Sequence, residues 1–323
     1  MKALVTGGAG FIGSHLCRRL LADGWSVTCL DNFSSGLRAN IAGLIESRAF
    51  RLVEADVSAA PLTEALAAER YFHMASPASP NARSPRSYMA LPLETARVNS
   101  VGLQHVLDLA RHTGGQVLFA STSEVYGDPQ RHPQREDYWG NVSSTGPRSC
   151  YDEAKRFGEA LCMIYVRSFG VDARLVRIFN TYGPNMDPED GRMLPNFITQ
   201  ALRDQPLTIY GDGAYTRSLC YVDDLVEGLL AVMESPRPDA PGRVYNLGNP
   251  EEHTIREYAD LVLDLLPASD SRLTYCDPVP DDPSRRRPDI SRARAELGWE
   301  PHVPLREGLA RTIEYFREVT GRR

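Results

Sequence analysis

Tyr151 and Lys155 are the residues of this sequence whose types and spacing best suit chemistry. They stand four positions apart, so on a helix their side chains lie on one face about one turn apart. A tyrosine ordinarily ionises near pH ~10, but a neighbouring ammonium group, or a cationic ring bound beside it, favours the phenolate. Bringing the pKa near ~7 requires roughly 4 kcal/mol, at about 1.4 kcal/mol per pH unit. Such a tyrosine is a base for a hydroxyl whose carbon gives up hydride, although the same spacing also occurs in ordinary amphipathic helices.

A glycine-rich turn close to the N-terminus predicts a cofactor site. Residues 2–6 read as a short buried strand, GGAGFIG (7–13) follows, and a helix runs from about Phe11 to Asp23. Glycines in this context let the backbone turn tightly and approach a pyrophosphate, while the helix N-terminus supplies amide donors. Asp31 closes the second strand, eighteen residues past Gly13. A carboxylate at that position accepts hydrogen bonds from an adenosine ribose and repels a 2′-phosphate, which favours NAD over NADP.

Alternating strands and helices extend to residue 178 and predict a parallel, doubly wound sheet. The further strands are 50–54, 71–74, 117–120 and 172–178, and the long helices are 94–112 and 151–168. Three strands are followed by residues placed where ligands bind to such sheets: Asp56-Val57, ASPASP (75–80) and STSEVYG (121–127). After residue 178 the elements are shorter. We therefore expect an α/β protein with a dinucleotide-binding Rossmann domain at 1–178. A smaller substrate-binding α/β domain should occupy 179–323, with some of its segments returning to the first domain.

Composition and charge exclude several classes of function. The chain has 323 residues, 42% of them hydrophobic, and a net charge of −6, which gives no electrostatic case for binding nucleic acid or an anionic membrane. It contains no apolar run of about 18 residues, and a strand that begins at Lys2 leaves no room for a signal peptide. We therefore expect a cytoplasmic protein. The six cysteines form no C-x-x-C pair and the histidines do not cluster near them, so we expect no metal site.

Longer motifs point to relatives of the chain. The most distinctive are STSEVYGDP (121–129), NLGNPEEHTI (246–255) and DDPSRRRPDI (281–290). They accompany shorter stretches: DNF (31–33), EDYWGNV (136–142), GPRSCYDEAKR (146–156), RIFNTYGP (177–184), DGR (190–192), YGDGAYTRSLCYVDDLV (210–226) and LGWEP (297–301). With these motifs the chain resembles the extended short-chain dehydrogenase/reductase family over nearly its whole length. Within that family it resembles the UDP-glucuronate decarboxylases, also called UDP-xylose synthases.

The resemblance implies a role for each matching position. Thr122, Tyr151 and Lys155 would form the dehydrogenase group, with the Thr122 hydroxyl bonded to the sugar 4-hydroxyl. Ser123 and Glu124 would face sugar carbons 5 and 6, and Arg286 would pair with the carboxylate region of a glucuronate. NAD would contact Tyr151 and Lys155 and also Gly7, Gly10, Phe11, Ile12, Gly13, Asp31, Asn32, Asp56, Val57, Met74, Ala75 and Asn99. The UDP portion would be held by Asn180, Arg192, Tyr210 and Arg217.

The resemblance also implies a homodimer, in which helices 94–112 and 151–168 of two copies pack as a four-helix seam. Two features depart from the family pattern. Residues 81–87, which border the expected sugar site, are about five residues longer than the usual loop, which bears on the choice of hexuronate. No membrane anchor stands ahead of Met1, unlike in Golgi-resident relatives, and this fits a bacterial-type soluble enzyme.

The implied reaction starts with oxidation at C4 of UDP-glucuronate by NAD. The resulting ketone is β to the C6 carboxylate, so carbon dioxide leaves readily, and the retained NADH returns hydride to give UDP-xylose. One alternative is a nucleotide-sugar 4,6-dehydratase, which needs an acid for the C6 hydroxyl. Where that relative has Thr-Asp-Glu, this chain has Thr122-Ser123-Glu124. The sequence is also compatible with a hexuronate 4-epimerase, which shares the first step, and with a catalytically silent NAD-binding regulatory protein.

Overall fold

A seven-stranded parallel sheet forms the centre of the protein. The computed structural model describes residues 1–277 and 285–321. Its strands are β1 (Lys2–Thr6), β2 (Ser26–Asp31), β3 (Phe50–Glu54), β4 (Arg70–His73), β5 (Gln116–Thr122), β6 (Ala173–Ile178), β7 (Thr181–Tyr182), β8 (Leu207–Tyr210), β9 (Thr216–Arg217), β10 (Cys220–Tyr221), β11 (Val244–Leu247), β12 (His253–Thr254) and β13 (Leu273–Cys276). The sheet order is β11-β6-β5-β4-β1-β2-β3, and every neighbouring pair is parallel. The order runs outward from β1 in two directions, which confirms the predicted doubly wound α/β fold.

Helices cover both faces of this sheet. They are α1 (Phe11–Ala22), α2 (Arg38–Ile41), α3 (Pro92–Arg97), α4 (Leu103–Thr113), α5 (Ser149–Phe169), α6 (Met193–Leu202), α7 (Val222–Glu234), α8 (Ile255–Leu265), α9 (Ser291–Leu297) and α10 (Leu305–Thr320). Successive strand residues point to opposite faces, so Ala3 and Val5 pack with α1 and α7 while Leu4 packs with α4 and α5. Among the described helices, none is long and apolar enough to cross a membrane.

The long helix predicted over 94–112 is interrupted. It consists of α3, a π-helical segment (Val98–Gly102) and α4. Within the interruption the Asn99 side-chain amide donates to the Thr95 carbonyl at 2.9 Å, and the Ser100 hydroxyl donates to the Ala96 carbonyl at 2.6 Å. These side chains satisfy carbonyls that regular helical amides would otherwise bond, so the helix can widen at this point.

The elements after β6 build a second, smaller core. Here α6, α8 and α10 pack around buried apolar side chains that include Phe197, Tyr258 and Phe316, and Phe11 and Ile12 from the start of α1 pack against them. The same stretch of chain sends β11 back into the large sheet beside β6 and places α7 on one face of that sheet. Residues after 178 thus contribute to both cores, and the domain division at 178 stays a prediction.

A largely buried ion pair ties α5 to β5 and β6. Arg177 on β6 donates to both carboxylate oxygens of Glu159 on α5, at 2.9 and 2.8 Å. The Ser121 hydroxyl of β5 donates to the same carboxylate at 2.6 Å. A bidentate arginine–carboxylate pair has a fixed geometry as well as a favourable energy. It therefore orients α5 against the strand that ends at Thr122.

We predict that Glu159→Gln destabilises the fold by on the order of 3 kcal/mol, because it leaves the Arg177 guanidinium buried without its carboxylate. The measurement is the free energy of unfolding in urea. The matched control is Glu153→Gln on the same helix, where the carboxylate is 39% exposed and pairs with Arg156 at 3.6 Å. That change should cost less than about 1 kcal/mol. Equal losses in the two variants would contradict the structural role given to the Arg177–Glu159 pair.

Candidate active site

The start of α5 and the end of β5 carry the residues singled out for proton transfer. Tyr151 and Lys155 lie in the first two turns of α5, and both are buried. The Lys155 ammonium donates to the Ala120 carbonyl of β5 at 2.7 Å, and its nitrogen lies 5.8 Å from the centre of the Tyr151 ring. Thr122, the last residue of β5, places its hydroxyl in hydrogen-bonding contact with Tyr151. The structure therefore brings Thr122, Tyr151 and Lys155 together.

The protein's own groups do not lower the pKa of Tyr151 as the sequence predicts. Burial raises the pKa of Tyr151 to about 12, and the Thr122 hydrogen bond only partly opposes this effect. Burial also lowers the pKa of Lys155 to about 7, so the ammonium expected to favour the phenolate is itself weakened. The physical reason is that desolvation outweighs a single neighbouring hydrogen bond in a site screened from water. Lowering the pKa of Tyr151 requires a further positive charge beside it.

Tyr88 is a site residue that the sequence analysis missed. Its ring stacks on the ring of Tyr151, with the ring centres 4.8 Å apart and the planes inclined by 8°. The side chain is buried, and its hydroxyl has no hydrogen-bond partner among the described residues. Tyr88 directly follows the lengthened loop 81–87. The residues around it form no motif, so the sequence does not distinguish it from an ordinary aromatic residue of a core. An unsatisfied hydroxyl beside Tyr151 is a group that a bound ligand can satisfy.

Glu124 holds two guanidinium groups close to Thr122. It lies in a short 3₁₀ turn (Ser123–Tyr126), and both Arg286 and Arg148 donate to its carboxylate. A second Arg286 nitrogen reaches the other carboxylate oxygen at 3.2 Å. Burial acts to raise the pKa of Glu124, but the charges and hydrogen bonds of Arg286 and Arg148 hold it below its usual value. The site thus contains an ionised carboxylate bound by two arginines.

Arg286 differs from the arginines on either side of it. Its side chain is only 10% exposed, whereas Arg285 is exposed and Arg287 is half-buried. Arg287 pairs with Glu252 at 3.6 Å, away from Glu124. The three residues of the RRR run therefore have different surroundings, as a solvated basic run would not. Residues 281–284 of the DDPSRRRPDI motif lie outside the described residues.

Three further side chains complete this side of the site. Ser123, which was expected to face the sugar, is buried next to Thr122. Arg148 and the buried Asp152 were both missed, although they flank Tyr151 in the GPRSCYDEAKR motif. Helical spacing could have found Arg148, which stands three positions before Tyr151, but not Asp152, because adjacent helix residues do not share a face.

The expected cofactor residues line the ends of four neighbouring strands. Gly7, Gly10 and Gly13 follow β1, Asp31 and Asn32 lie at the end of β2, Asp56 and Val57 follow β3, and Met74 and Ala75 follow β4. Asn99 joins them from the π-helical segment by donating to the Ser76 hydroxyl at 2.9 Å. Its amide oxygen is buried and has no partner in the described part of the chain. The strands end at one edge of the sheet, so these residues face a common crevice.

The glycine turn in this crevice fits a pyrophosphate. Gly7 has a φ of +70°, and a Cβ on Gly13 would stand 2.1 Å from the Gly7 carbonyl oxygen. At the start of α1, no side chain of the described residues caps the helix, so its first amides are available to a ligand. Asp31 accepts hydrogen bonds from the amides of Ala9 and Phe33 at 2.9 and 2.8 Å, and a carboxylate has room for further donors. The residues present therefore fit a dinucleotide.

The residues expected to hold a UDP group lie in two places. Arg192 lies close enough to Tyr151 for its charge to act on the pKa of that phenol, and Asn180 follows β6 at the ligand-facing edge of the sheet. Tyr210 and Arg217 lie on β8 and β9. Tyr210 is half exposed and lines a surface cavity of about 700 Å³ together with Tyr275. Of the four residues, Arg192 is thus the one that the structure places beside Tyr151.

The lengthened loop 81–87 connects the two cores. Arg86 donates to the Asp187 carboxylate at 2.7 Å. Just before the loop, the Ser79 hydroxyl donates to the Asp190 carbonyl at 2.8 Å. These bonds tie the segment that leads to Tyr88 to the segment that leads to Arg192. The loop therefore borders the site and does more than cover the surface.

Known proteins with similar sequences and structures show the family to which the chain belongs. The sequence profile described as the NAD dependent epimerase/dehydratase family matches residues 3–248. The chain is 49% identical over 315 residues to UDP-glucuronic acid decarboxylase 1 from Danio rerio, covering 98% of this chain and 72% of the relative.

Two solved structures with the same fold contain bound ligands. One is UDP-glucuronic acid 4-epimerase from Bacillus cereus in complex with UDP-glucuronic acid and NAD. It has a TM-score of 0.86 and 29% identity, with 99% of this chain and 100% of that chain covered. The other is dTDP-glucose 4,6-dehydratase from Streptomyces venezuelae with bound NAD. It has a TM-score of 0.84 and 31% identity, with 99% and 98% covered.

Proposed function

Because the chain belongs to the UDP-glucuronic acid decarboxylases within the NAD dependent epimerase/dehydratase family, we propose that it converts UDP-glucuronate to UDP-xylose and carbon dioxide. The observation that carries the proposal is that two groups of residues share one site. Thr122, Tyr151 and Lys155 suit the oxidation of a sugar alcohol. Beside them, Arg286 and Arg148 converge on Glu124. Guanidinium groups at this position suit a substrate whose carboxylate lies two carbons from the alcohol that is oxidised.

NAD is the cofactor that the residues fit. The glycine turn would hold its pyrophosphate and Asp31 its adenosine ribose, and the same carboxylate would repel the 2′-phosphate of NADP. Tyr151, Lys155 and Asn99 would lie at the nicotinamide end. When bound, NAD supplies an oxidant for C4 that is regenerated within the turnover, and a positive ring beside Tyr151.

Tyr151 and Thr122 act on the sugar 4-hydroxyl in the first step. The Tyr151 phenolate accepts the hydroxyl proton as C4 is oxidised to a ketone, and the Thr122 hydroxyl orients the same oxygen. Lys155 supports the phenolate from the next turn of α5, where its bond to the Ala120 carbonyl fixes the ammonium in place. The step requires this arrangement because hydride leaves a carbon only when its hydroxyl loses a proton to a well-placed base.

The ketone then makes carbon dioxide a good leaving group. The C5–C6 bond breaks, its electron pair moves toward the C4 oxygen, and an enolate remains. Tyr151, now protonated, is the donor nearest to that oxygen and stabilises its charge. Arg286 and Arg148 orient the carboxylate before it leaves. Protonation at C5 and reduction at C4 complete UDP-xylose, and Asn180, Arg192, Tyr210 and Arg217 would hold the UDP group throughout.

Dehydration and epimerisation fit this site less well. A dehydratase needs an acid for the C6 hydroxyl, and in this chain neither of the two residues that follow Thr122 can serve. Ser123 is a neutral hydroxyl, and Arg286 and Arg148 hold the pKa of Glu124 too low for it to carry a proton at neutral pH. A 4-epimerase must present both faces of the C4 ketone to its cofactor, so the ketone has to rotate within the site. Two guanidinium groups bound to the C6 carboxylate would oppose that rotation. The complete Thr122, Tyr151 and Lys155 group argues against a regulatory protein without catalysis.

The proposal includes a cytoplasmic location and no nucleic-acid partner. The six cysteines are free thiols, and four of them are fully buried: Cys17, Cys29, Cys162 and Cys220. Free thiols suit a reducing compartment. The net charge of −6 would repel a polyanion.

We predict that UDP-glucuronate loses about 44 mass units, the mass of carbon dioxide, with no net consumption of NAD, because the cofactor is regenerated in each turnover. UDP-glucose should be unchanged, because it has no carboxylate for Arg286 to bind and because neither Ser123 nor Glu124 can protonate its C6 hydroxyl. Mass spectrometry of products after separate incubations makes the measurement.

Tyr151→Phe is the matched control for that experiment. It removes one oxygen, so it should abolish carbon dioxide release while leaving the dinucleotide bound, since oxidation precedes decarboxylation. An isomer of unchanged mass from UDP-glucuronate would instead indicate an epimerase, and loss of water from UDP-glucose would indicate a dehydratase.

A second prediction concerns the arginine run. Arg286→Met should lower kcat/KM by about 100-fold or more, because it removes a buried, hydrogen-bonded charge worth roughly 3 kcal/mol. Arg285→Met, at the exposed neighbouring position, should change kcat/KM by less than about twofold. Steady-state release of carbon dioxide provides the comparison, with thermal melting to confirm that both variants fold. Similar losses at the two positions would show that the run acts only as a diffuse positive surface.

We further propose a homodimer through a four-helix seam. Exposed apolar side chains on α3 to α5 support it: Leu93, Val101, Phe157 and Ile164 are 69%, 41%, 52% and 51% exposed. Packing two such faces together would remove this surface from water.

The third prediction is that Phe157→Glu combined with Ile164→Glu yields a monomer of 35.9 kDa, whereas the unaltered chain has twice that mass. Two charges on a buried apolar seam would lack partners, so association should be lost. Light scattering at micromolar concentration measures the mass. Val319→Glu changes an equally exposed apolar residue on α10 and should leave the dimer intact. A monomeric unaltered chain would contradict the seam.

A further inference from the structure

Asp152 is a buried carboxylate for which the reaction as described so far has no use. It follows Tyr151 on α5, and 7% of its surface is exposed. Its Oδ1 atom is inaccessible to solvent and has no hydrogen-bond partner among the described residues. A buried acceptor without a donor is costly for an ionised carboxylate. The protonated carboxylic acid carries no charge and has one O–H group that can donate. It therefore suits this buried position better than the ionised carboxylate does.

The charges around Asp152 favour the same form. Burial raises the pKa of Asp152 to about 7, and the negative charge of Glu124 adds to this effect, against the opposing charges of Arg148 and Arg286. Other titratable groups that face it lie on its own helix and on the segment that packs over α5: Tyr88, Cys150, Tyr151 and Glu153. Asp152 thus has a raised pKa and lies close enough to the guanidinium pair for the charges to interact.

Substrate binding changes the charge balance of this cluster. Glu124 and an ionised Asp152 together neutralise Arg148 and Arg286. With Asp152 protonated, the cluster keeps one positive charge, which the carboxylate of UDP-glucuronate would neutralise. A fully ionised cluster would become negative when the substrate enters. Low-dielectric surroundings penalise such an excess charge, so substrate should bind with Asp152 protonated.

The reaction needs a proton at C5, the carbon that carries the carboxylate proposed for Arg148 and Arg286, and Asp152 interacts with the charges of both arginines. When the C5–C6 bond breaks and carbon dioxide leaves, the electron pair remains in the C4–C5 enolate. That pair must form a C5–H bond, so each turnover consumes one proton. We propose, on the basis of the decarboxylase function above, that protonated Asp152 supplies the proton that replaces the carboxylate on C5. The carboxylate left on Asp152 then recovers a proton from solvent as the product leaves.

The test compares Asp152→Asn with the unaltered enzyme. Asparagine keeps the shape and has no transferable proton, so kcat for UDP-xylose should fall by about 100-fold, a usual contribution of a general acid. The KM should change little. Oxidation does not involve Asp152, so NADH absorbance should still rise in the first turnover and then persist. Glu153→Gln, the adjacent acid on the same helix, should behave like the unaltered enzyme.

The pH profile distinguishes proton delivery from a structural role. The acid form is the active form, so kcat/KM of the unaltered enzyme should be full below the pKa near 7 and should fall as pH rises above it. Asp152→Asn should lose this alkaline fall, and Asp152→Glu should restore it with part of the activity. A normal kcat with an unchanged alkaline fall in Asp152→Asn would overturn the proposal. The proposal would also be overturned if kcat/KM of the unaltered enzyme does not decline between about pH 7 and 9. This second outcome does not depend on whether the variants fold. Failure of the unaltered enzyme to release carbon dioxide would refute the decarboxylase function itself.

Discussion

The contact between one face of α5 and the end of β5 is the interaction on which the site depends. Tyr151, Lys155 and Glu159 are spaced by four residues and therefore form a single stripe along the helix. They meet three successive residues of the strand, through the Ala120 carbonyl, the Ser121 hydroxyl and the Thr122 hydroxyl. Gly158 permits this closeness, because a Cβ there would stand 2.4 Å from the ring of Phe119. A looser contact would separate the base from the hydroxyl that orients its substrate.

A second constraint is charge balance in the same enclosed space. Glu124, Asp152, Arg148 and Arg286 would each be costly to bury alone, and the bonds of Arg148 and Arg286 to Glu124 make the cluster tolerable. The arrangement is held by bonds within the chain itself, so its dipoles and charges need little reorganisation during the reaction. Tyr151, by contrast, is not stabilised in its reactive form by the groups of the protein alone. The protein buries it and raises its pKa, so its activity as a base depends on the positive ring that the cofactor crevice is shaped to hold.

The sequence predicts those parts of the site whose geometry is local. The glycine turn, Asp31 and the Tyr151–Lys155 pair are defined by spacing within one or two elements, and their positions follow from helix and strand periodicity alone. Tyr88 could not be found this way, because only the tertiary fold stacks it on Tyr151, 63 positions later in the sequence. Arg286 was reached through family resemblance, and its local pattern alone would indicate a solvated basic run. The π-helical segment was missed because its cause is side-chain bonding by Asn99 and Ser100, which hydrophobic periodicity does not report.

The solved epimerase from Bacillus cereus that holds UDP-glucuronic acid and NAD has this fold at 29% identity, so the fold does not decide what becomes of such a substrate. Both reactions begin with oxidation at C4, and they diverge at the fate of the C5–C6 bond. The residues that decide the outcome must therefore surround the carboxylate. The residues that we propose for this role come from separate parts of the sequence: Glu124 follows β5, Arg148 precedes α5, and Arg286 follows β13. Arg286 is brought to Glu124 because its segment bonds to Gln134 through the Arg287 carbonyl and the Asp289 amide, and because Ile290 packs in the core of the large sheet. On this proposal, specificity is a property of tertiary contacts, whereas the capacity for oxidation lies in one helix and one strand.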